Sequence, residues 1–563
     1  MFNLIKDPWI PVTTKSGERT IIAPAALVDC YAEDPVTALD AARPDFNGAL
    51  VQFLIGLVQT TCPPSSASEW RKKFVKPPTR DELNSAFARY VPAFNLDGTG
   101  ARFMQDLDLN IEKLSHKEQE KIEFPIEELI LEMPGDITKK EDRDFFVKRG
   151  TVKTICPSCC ASALYTLQTH APSGGPGYRF SIRGGSPLTT IVLGRTLWET
   201  VWLNVVDSET FNQFGNKSKQ ADSDKFPWMG KTRTSEKDQI TTFQDVNGAQ
   251  MFWGMPWRIR VPFEQSNEHE LCDLCGKTAS LKVSTFYRKN YGINYKGGWY
   301  HTLTPYLEGK DTENEPRPFE SEVNGISYRH WLGLIQNNPQ EKIRSATVIH
   351  AYKERKEKLE EIGFPSTRLW AFGYKMKQRK ALCWNDSTMP IITVIPTIAQ
   401  EYEFVITQLI TSADMIITKL QRCVRDALFN KKSKVSGNFS FIESRFWQGT
   451  EPKFYQVLED SKMALEKNQN LDDIRVGWLN LLKKHAITLF DHYSQAEQIV
   501  TVTNPRRIID ARKDLLRYLN LNKKLYDTLD ISKSARTGKP VISGVKEKEK
   551  HDLEEKPWNK NII

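Results

Sequence analysis

Two C-x-x-C pairs constrain this chain more than any other feature of its sequence. Cys156 and Cys159 form the first, and Cys272 and Cys275, inside Cys272-Asp273-Leu274-Cys275-Gly276, form the second far downstream. Each pair places two thiolates on one side of a tight turn, and two pairs together suit a tetrahedral zinc ion with no position left open for water. The expected site is therefore structural and ties two distant segments into one domain. Cys160 competes with Cys159 for the first pair, although the i,i+3 spacing favours Cys159. A redox C-x-x-C is the rival reading, but it would need no second pair.

A length of 563 residues exceeds what one hydrophobic core serves, so two or three domains are expected. Hydrophobic residues make up 39% and charged residues 26%, a balance expected of a globular chain, and no apolar run is long enough to span a bilayer. The start, MFNLIKDPWIPV, carries Asp7 and Pro8 where a signal peptide needs an unbroken apolar run, so it reads as a first strand. Nine cysteines, of which four are paired by spacing, point to a reducing cytoplasm, with Cys30, Cys62, Cys383 and Cys423 expected as buried apolar residues. A net charge of +8 is mild, so contact with nucleic acid would depend on local patches.

In chain order, Trp9 to Val12 and Ile21-Ile22 read as strands, Gly48 to Val58 as a core helix, and Phe103-Met104-Gln105 as an inward-packing triplet. Residues 136–153 are charged around Phe145 and Phe146, which suits an exposed loop or a plain solvated insertion. The first cysteine pair leads into a glycine-rich turn region, Ser173-Gly174-Gly175-Pro176-Gly177, followed by Arg179 and Arg183. Glycines allow close approach of backbone to a ligand and arginines could meet phosphates, while the spacing excludes a P-loop; an ordinary glycine-rich hairpin fits equally. From Leu281 to Tyr300 basic and aromatic residues alternate, as on a nucleic-acid-binding face or a half-buried hairpin. In FGYKMKQRKALCW, Gln378 stands among Lys375, Lys377, Arg379 and Lys380. Beyond Pro396 the pattern turns helical: a capping box at Thr397 to Gln400, an apolar stripe through Phe404, Leu409, Ile416, Leu420 and Leu428, then three further helices. The expected fold class is α+β: an irregular mixed α/β, zinc-containing domain over residues 1–390, an all-α four-helix bundle over 391–530, and a disordered tail over 531–563.

Taken together, NLIKDPWIPV, the Phe103-Met104-Gln105 triplet, the stretch from CPSCC to RGGSPLTT, CDLCG, FGYKMKQRKA and the helical end resemble the CasA family, the large subunit of the type I-E CRISPR Cascade complex. The resemblance runs in one order through nearly the whole chain; residues 156–190 are its most specific part and 531–563 fall outside it. It implies a subunit without catalytic activity that recognises the protospacer-adjacent motif in double-stranded DNA, helps open the duplex for R-loop formation, and recruits a helicase-nuclease. Its partners would be the target DNA, the CRISPR RNA-containing Cascade subunits and that effector, with no membrane. Carried over residue by residue, a glycine loop that reads the minor groove falls on Ser173, Gly174, Gly175 and Pro176, and a glutamine wedge falls on Gln378 among Lys377, Arg379 and Lys380. The family's lysine finger falls on Asn290, with Lys289 adjacent. Serine and proline within the glycine loop, and asparagine at the finger, depart from the family pattern and imply an altered or relaxed motif preference. A loop that helps hold the complex together maps to about residues 136–155, with Phe145 or Phe146 as its aromatic anchor, and Lys431, Lys432 and Lys434 fall between the first two helices of the bundle, near where the effector would dock. Two other classes are weighed against this: a zinc-dependent nuclease, for which no H-E-x-x-H or clustered carboxylates are present, and a zinc-stabilised RNA-binding scaffold that never contacts DNA.

Overall fold

The computed structural model describes residues 1–134, 140, 148–172, 175–266, 270–309, 315–338, 342–377, 380–429, 439–495 and 505–532. The chain divides into two compact units, one of residues 1–395 with 437–455, the other of 396–436 with 456–563. The first is mixed α/β with small antiparallel sheets, as expected, and the second is helical where described. The chain thus passes between units three times, at 395/396, 436/437 and 455/456, where a single passage at 390/391 was expected. Residues 440–455 of the helix Ser440–Glu466 are grouped with the first unit.

The first unit is built around the helix Pro44–Thr61. Pro44 at its first position supplies a helical φ, and Asp45 in the first turn complements the helix dipole. The helix is buried on nearly all sides, which is why its sequence is apolar without a polar stripe. Phe53 is the hub, with Trp9, Phe94, Phe103, Tyr165 and Trp253 each edge-on to it at ring centroids 5.1 to 6.0 Å away. Such edge-to-face pairs add to the burial of their area. Phe103, Met104 and Gln105 are fully buried as expected, and Gln105 is satisfied there by donating to Leu96 O (2.8 Å) and accepting from Val261 N (2.9 Å).

Small antiparallel sheets frame this core. Ile10–Thr14 pairs with Arg19–Ile22 and Val36–Leu39; Thr285–Lys289 lies between Glu123–Pro125 and Arg258–Arg260; and the long hairpin of Arg368–Lys377 and Lys380–Pro390 adds Thr189–Val192 along its first strand. The hairpin is fastened to the central helix by charge. Tyr374 donates to Asp45 Oδ2 (2.7 Å), Asp45 is paired with Arg43 (2.9 Å), and Arg43 with Glu132 (2.7 Å). Burial, reinforced by the Asp45 carboxylate, holds the Tyr374 phenol well above its ordinary range, so it stays a donor.

In the second unit the helix Ala399–Leu428 buries Leu409, Ile416 and Leu420, as its stripe implies. Trp478 of the helix Asp472–Gln495 donates to Leu409 O (3.1 Å), and Lys419 pairs with Asp514 (2.7 Å) of the helix Pro505–Leu521. Two expectations fail here. Phe404 is 56% exposed because the buried stripe runs instead through Tyr402, Val405 and Ile406. The capping box at Thr397 does not form, because a 3-10 turn over Pro396–Ile398 makes Ile398 the N-cap. Among the four cysteines expected to be buried, Cys423 is, Cys62 and Cys383 are half-buried, and Cys30 is exposed at a turn with φ 49°. No described helix is long and apolar enough to cross a membrane.

Gly56 lets the central helix press against Phe252: a Cβ there would lie 2.8 Å from Phe252 Cβ, an atom too close to the backbone to move aside. Gly56→Ala is expected to destabilise the first unit by about 1–3 kcal/mol despite its higher helix propensity, read as a lower midpoint in thermal or denaturant unfolding.

Candidate functional site

The two cysteine pairs meet. The sulfurs of Cys156, Cys159, Cys272 and Cys275 all lie within 4.8 Å of one another, and Cys156 Sγ is 3.8 Å from Cys275 Sγ. Four thiolates bonded at about 2.3 Å to a tetrahedral ion would stand about 3.8 Å apart, so the cluster has the dimensions of a metal site. None of the nine cysteines forms a disulfide.

Each half of the cluster is prepared by its own backbone. Cys156 is the N-cap of the helix Pro157–Thr169, with Pro157 at the first helical position, and its sulfur accepts from Cys159 N (3.5 Å). That geometry turns Cys159 back towards Cys156, while Cys160 points into the core, fully buried and outside the cluster, its thiol pushed up by desolvation. In the second half Gly276 has φ +69°, a left-handed turn suited to glycine, and donates to Cys272 O (2.8 Å). The halves are then tied together by hydrogen bonds. Asp273 Oδ2 accepts from Lys153 N (2.7 Å) and Thr154 N (2.8 Å), and Ile155 and Val283 exchange two backbone bonds of 3.0 Å. Crowding of the thiols spreads their acidities: Cys159 is pushed well up, chiefly by its hydrogen bond with Cys156, while Cys275 is lowered to about 7, chiefly by bonds from Cys156 and Cys159.

From this cluster two arms run out and meet again. The first is the helix Pro157–Thr169 and the chain beyond it; the second is the strand Thr285–Lys289. At their ends Asn290 Nδ2 donates to Pro176 O (3.0 Å) and Tyr291 N donates to Gly177 O (2.7 Å). Gly177 has φ +80°, and a Cβ on it would lie 2.8 Å from Asn290 Cβ, so glycine is what lets the arms touch. Tyr291, itself at φ +63° and 39% exposed, is steadied by Ser235, whose N–H donates to Tyr291 O (3.0 Å) while its hydroxyl accepts from Arg179 Nε (2.8 Å). The structure thus brings Gly175, Pro176, Lys289 and Asn290 into one neighbourhood. Ser173 and Gly174 lie outside the described residues, as do Phe145, Phe146, Gln378, Arg379, Lys431, Lys432 and Lys434.

The cations of the region divide between the interior and the surface. Arg183, read from the sequence as a phosphate contact, is a core residue: fully buried, it donates to Gln52 (2.6 Å), Thr189 (3.0 Å) and Thr304 (3.1 Å), and desolvation pushes it down to about 10. Arg179 is engaged with Ser235. Arg288 stacks 3.9 Å from the Phe124 ring centroid, with Tyr178 and Trp257 close by, so part of the basic-aromatic alternation is internal packing. Lys289, by contrast, is half-buried at the end of its strand, and the Glu118 carboxyl, held below its ordinary range chiefly by bonds from Ser115, is lowered further by its charge. At the hairpin, Lys377 and Lys380 are exposed and opposite one another at the strand ends, while Lys375 pairs with Glu320 (3.2 Å). The hairpin root rests on the segment after Arg183: Met376 N donates to Ser186 Oγ (3.1 Å), and a Cβ on Gly373 would lie 2.6 Å from Pro187 O.

Asp273 and Ser235 carry no assignment from the sequence, while Tyr291 belongs to the basic-aromatic alternation of Leu281 to Tyr300. For Asp273 the signal was present, since a carboxylate inside a cysteine turn is well placed to accept amide N–H groups. For Ser235 none was.

Residues 3–489 match the family model of CRISPR-associated protein Cse1. The chain belongs to the Cse1 family. That bears out the resemblance to CasA, the large subunit of type I-E Cascade. Similar Cse1 folds include Thermobifida fusca Cse1, at 16% identity and a TM-score of 0.67 over 95% of this chain and 99% of that one. Thermus thermophilus CasA (Cse1) matches at 15% identity and 0.67, over 92% and 99%. A chain of a CRISPR RNA-guided surveillance complex matches at 14% identity and 0.63, over 92% and 99%. At such identities the likeness to these Cse1 structures is one of fold.

Gly177→Ala is expected to push the Cse1 arms apart, with a cost of about 1–2 kcal/mol for the left-handed backbone alone. Faster amide exchange at Tyr291, whose N–H bonds Gly177 O, is the readout, and unchanged protection there would show that the arms do not depend on glycine.

Proposed function

We propose that this Cse1 protein is the large subunit of a CRISPR RNA-guided surveillance complex, recognising the protospacer-adjacent motif in double-stranded DNA, helping to open the duplex, and recruiting a helicase-nuclease. The observation that carries this reading is the meeting of the Gly175–Gly177 turn with Lys289 and Asn290, two elements far apart in sequence, in a member of the Cse1 family. A backbone turn with one cation beside it suits the minor groove, whose base edges are degenerate, and guide pairing then supplies sequence specificity. Because the amide nitrogen of Asn290 is engaged by Pro176 O, Lys289 is the group left to serve as the cationic finger. The full glycine loop of this reading is Ser173, Gly174, Gly175 and Pro176.

Gln378 is assigned as the wedge, with Lys377, Arg379 and Lys380 holding phosphates beside it. An uncharged hydrogen-bonding side chain loses less solvation than a charged one on entering a base stack. Phe145 or Phe146 is assigned to docking on the CRISPR RNA-containing subunits, and the second unit, as a four-helix bundle, to positioning the displaced strand near the effector. The role is assigned as non-catalytic, since a metal held by four thiolates has no open position for a reacting water, and as cytoplasmic, the reducing compartment that nine cysteines suit. A comparison of duplexes with and without a candidate motif, using the assembled guide complex in a gel shift, tests the reading. Motif-independent binding would favour the RNA-binding scaffold instead.

We assign zinc to Cys156, Cys159, Cys272 and Cys275, where it would supply cohesion and no chemistry. Cys156→Ser or Cys275→Ser is expected to abolish stoichiometric zinc and lower the unfolding temperature by several degrees. Elemental analysis finding no zinc in protein purified without chelator would refute the assignment.

Gln378→Ala is expected to leave duplex binding within about twofold while slowing R-loop formation roughly tenfold or more, because opening the first base pairs costs a few kcal/mol. On a target already melted beside the motif the variant should recover. Equal loss on paired and pre-melted targets would remove Gln378 from duplex opening.

A further inference from the structure

Asn290 is exposed, yet half of its amide is committed. The atom 3.0 Å from Pro176 O must be the NH2 group, because a carbonyl oxygen only accepts. The bond therefore fixes the orientation of the amide. Its carbonyl oxygen, Oδ1, makes no hydrogen bond among the described residues. The side chain is held on both flanks: Gly177 packs against its Cβ, and the next residue, Tyr291, is fastened through its N–H to Gly177 O and through its carbonyl to Ser235 N. An acceptor thus stands immobilised at the tip of the arm, next in sequence to the half-buried Lys289.

Minor-groove edges of A·T and T·A pairs display acceptors only, and the exocyclic N2 amino group of guanine is the one donor. A lysine at this tip could only donate, and would meet an acceptor at every pair. A fixed carbonyl oxygen meets a partner only where a guanine is present, and at an A·T pair it faces another lone pair. We propose that Asn290 makes this protein prefer a G·C or C·G pair at one position of the duplex motif, by accepting from guanine N2 through Oδ1. This rests on the reading of the loop cluster as the face that meets the duplex minor groove.

Purine analogues isolate the single group involved. With the guide complex assembled and each motif pair changed in turn, replacing guanine by inosine removes only the N2 amino group, and replacing adenine by 2,6-diaminopurine adds one. Inosine at one position is expected to weaken binding about five- to tenfold, the worth of one hydrogen bond, and diaminopurine·T there should approach G·C. Asn290→Ala should erase the difference between guanine and inosine at that position. A merely structural role would lower affinity for both targets alike and keep their ratio, which would overturn the proposal. Motif-dependent binding in which guanine and inosine are equivalent at every position would overturn it while leaving the proposed function standing. Motif-independent binding would overturn both.

Discussion

The first unit depends on a junction of two kinds of bond made at one place. Four sulfurs gather within 4.8 Å, and around them Asp273 accepts from two amides while Ile155 and Val283 close a two-bond bridge. Hydrogen bonds bring the two cysteine turns into register, and the sulfurs then lie at spacings a tetrahedral ion satisfies. A helix leaves one side of this junction and runs on into the glycine turn, and a strand follows the other. Where they meet again, at Pro176 and Asn290, the backbone is constrained by bonds formed at both ends. A small irregular sheet region thereby acquires a precise pair of loop tips without a large sheet to support them.

Burial decides which charges are available at that face. The segment after the glycine turn is rich in arginine, but Arg183 lies in the core among neutral oxygens and Arg288 lies in an aromatic box. On the surface are lysines, Lys377 and Lys380 exposed at the hairpin end, with Lys289 half-buried at the arm tip. Arginines with flat, delocalised guanidinium groups suit stacking and multiple fixed bonds in the interior, whereas lysines leave a mobile point charge in water. This division explains how a chain with a net charge of only +8 can still present localised positive tips.

Much of this was legible in the sequence, and the failures have common physical causes. The cysteine spacing fixes a local geometry in four residues, so the cluster could be read directly, down to Cys159 over Cys160. The central helix and the inward triplet were legible because uninterrupted apolar runs have few alternatives to burial. Arg183 was misread because a side chain's destination depends on long-range partners, here Gln52 and Thr304, that no local pattern reveals. Phe404 was misplaced by one step in helical phase, and the cap at Thr397 was lost to a 3-10 turn, both being errors of register at an element boundary. Cys30 was misread by residue type alone: a turn with positive φ placed it outside.

The chain of contacts from Tyr374 through Asp45 and Arg43 to Glu132 has a consequence for how the molecule responds to load. Its two ends belong to the hairpin carrying Lys377 and to the chain just before residue 135, while its middle is anchored at the start of the central helix. Asp45 and Tyr374 are buried, so water cannot readily replace a lost partner, and removing Arg43 would leave the Asp45 carboxylate buried with only the Tyr374 hydroxyl to compensate it. The hairpin strand and Glu132 therefore lean on one and the same buried ion pair, and the helix N-terminus is the point through which they are linked.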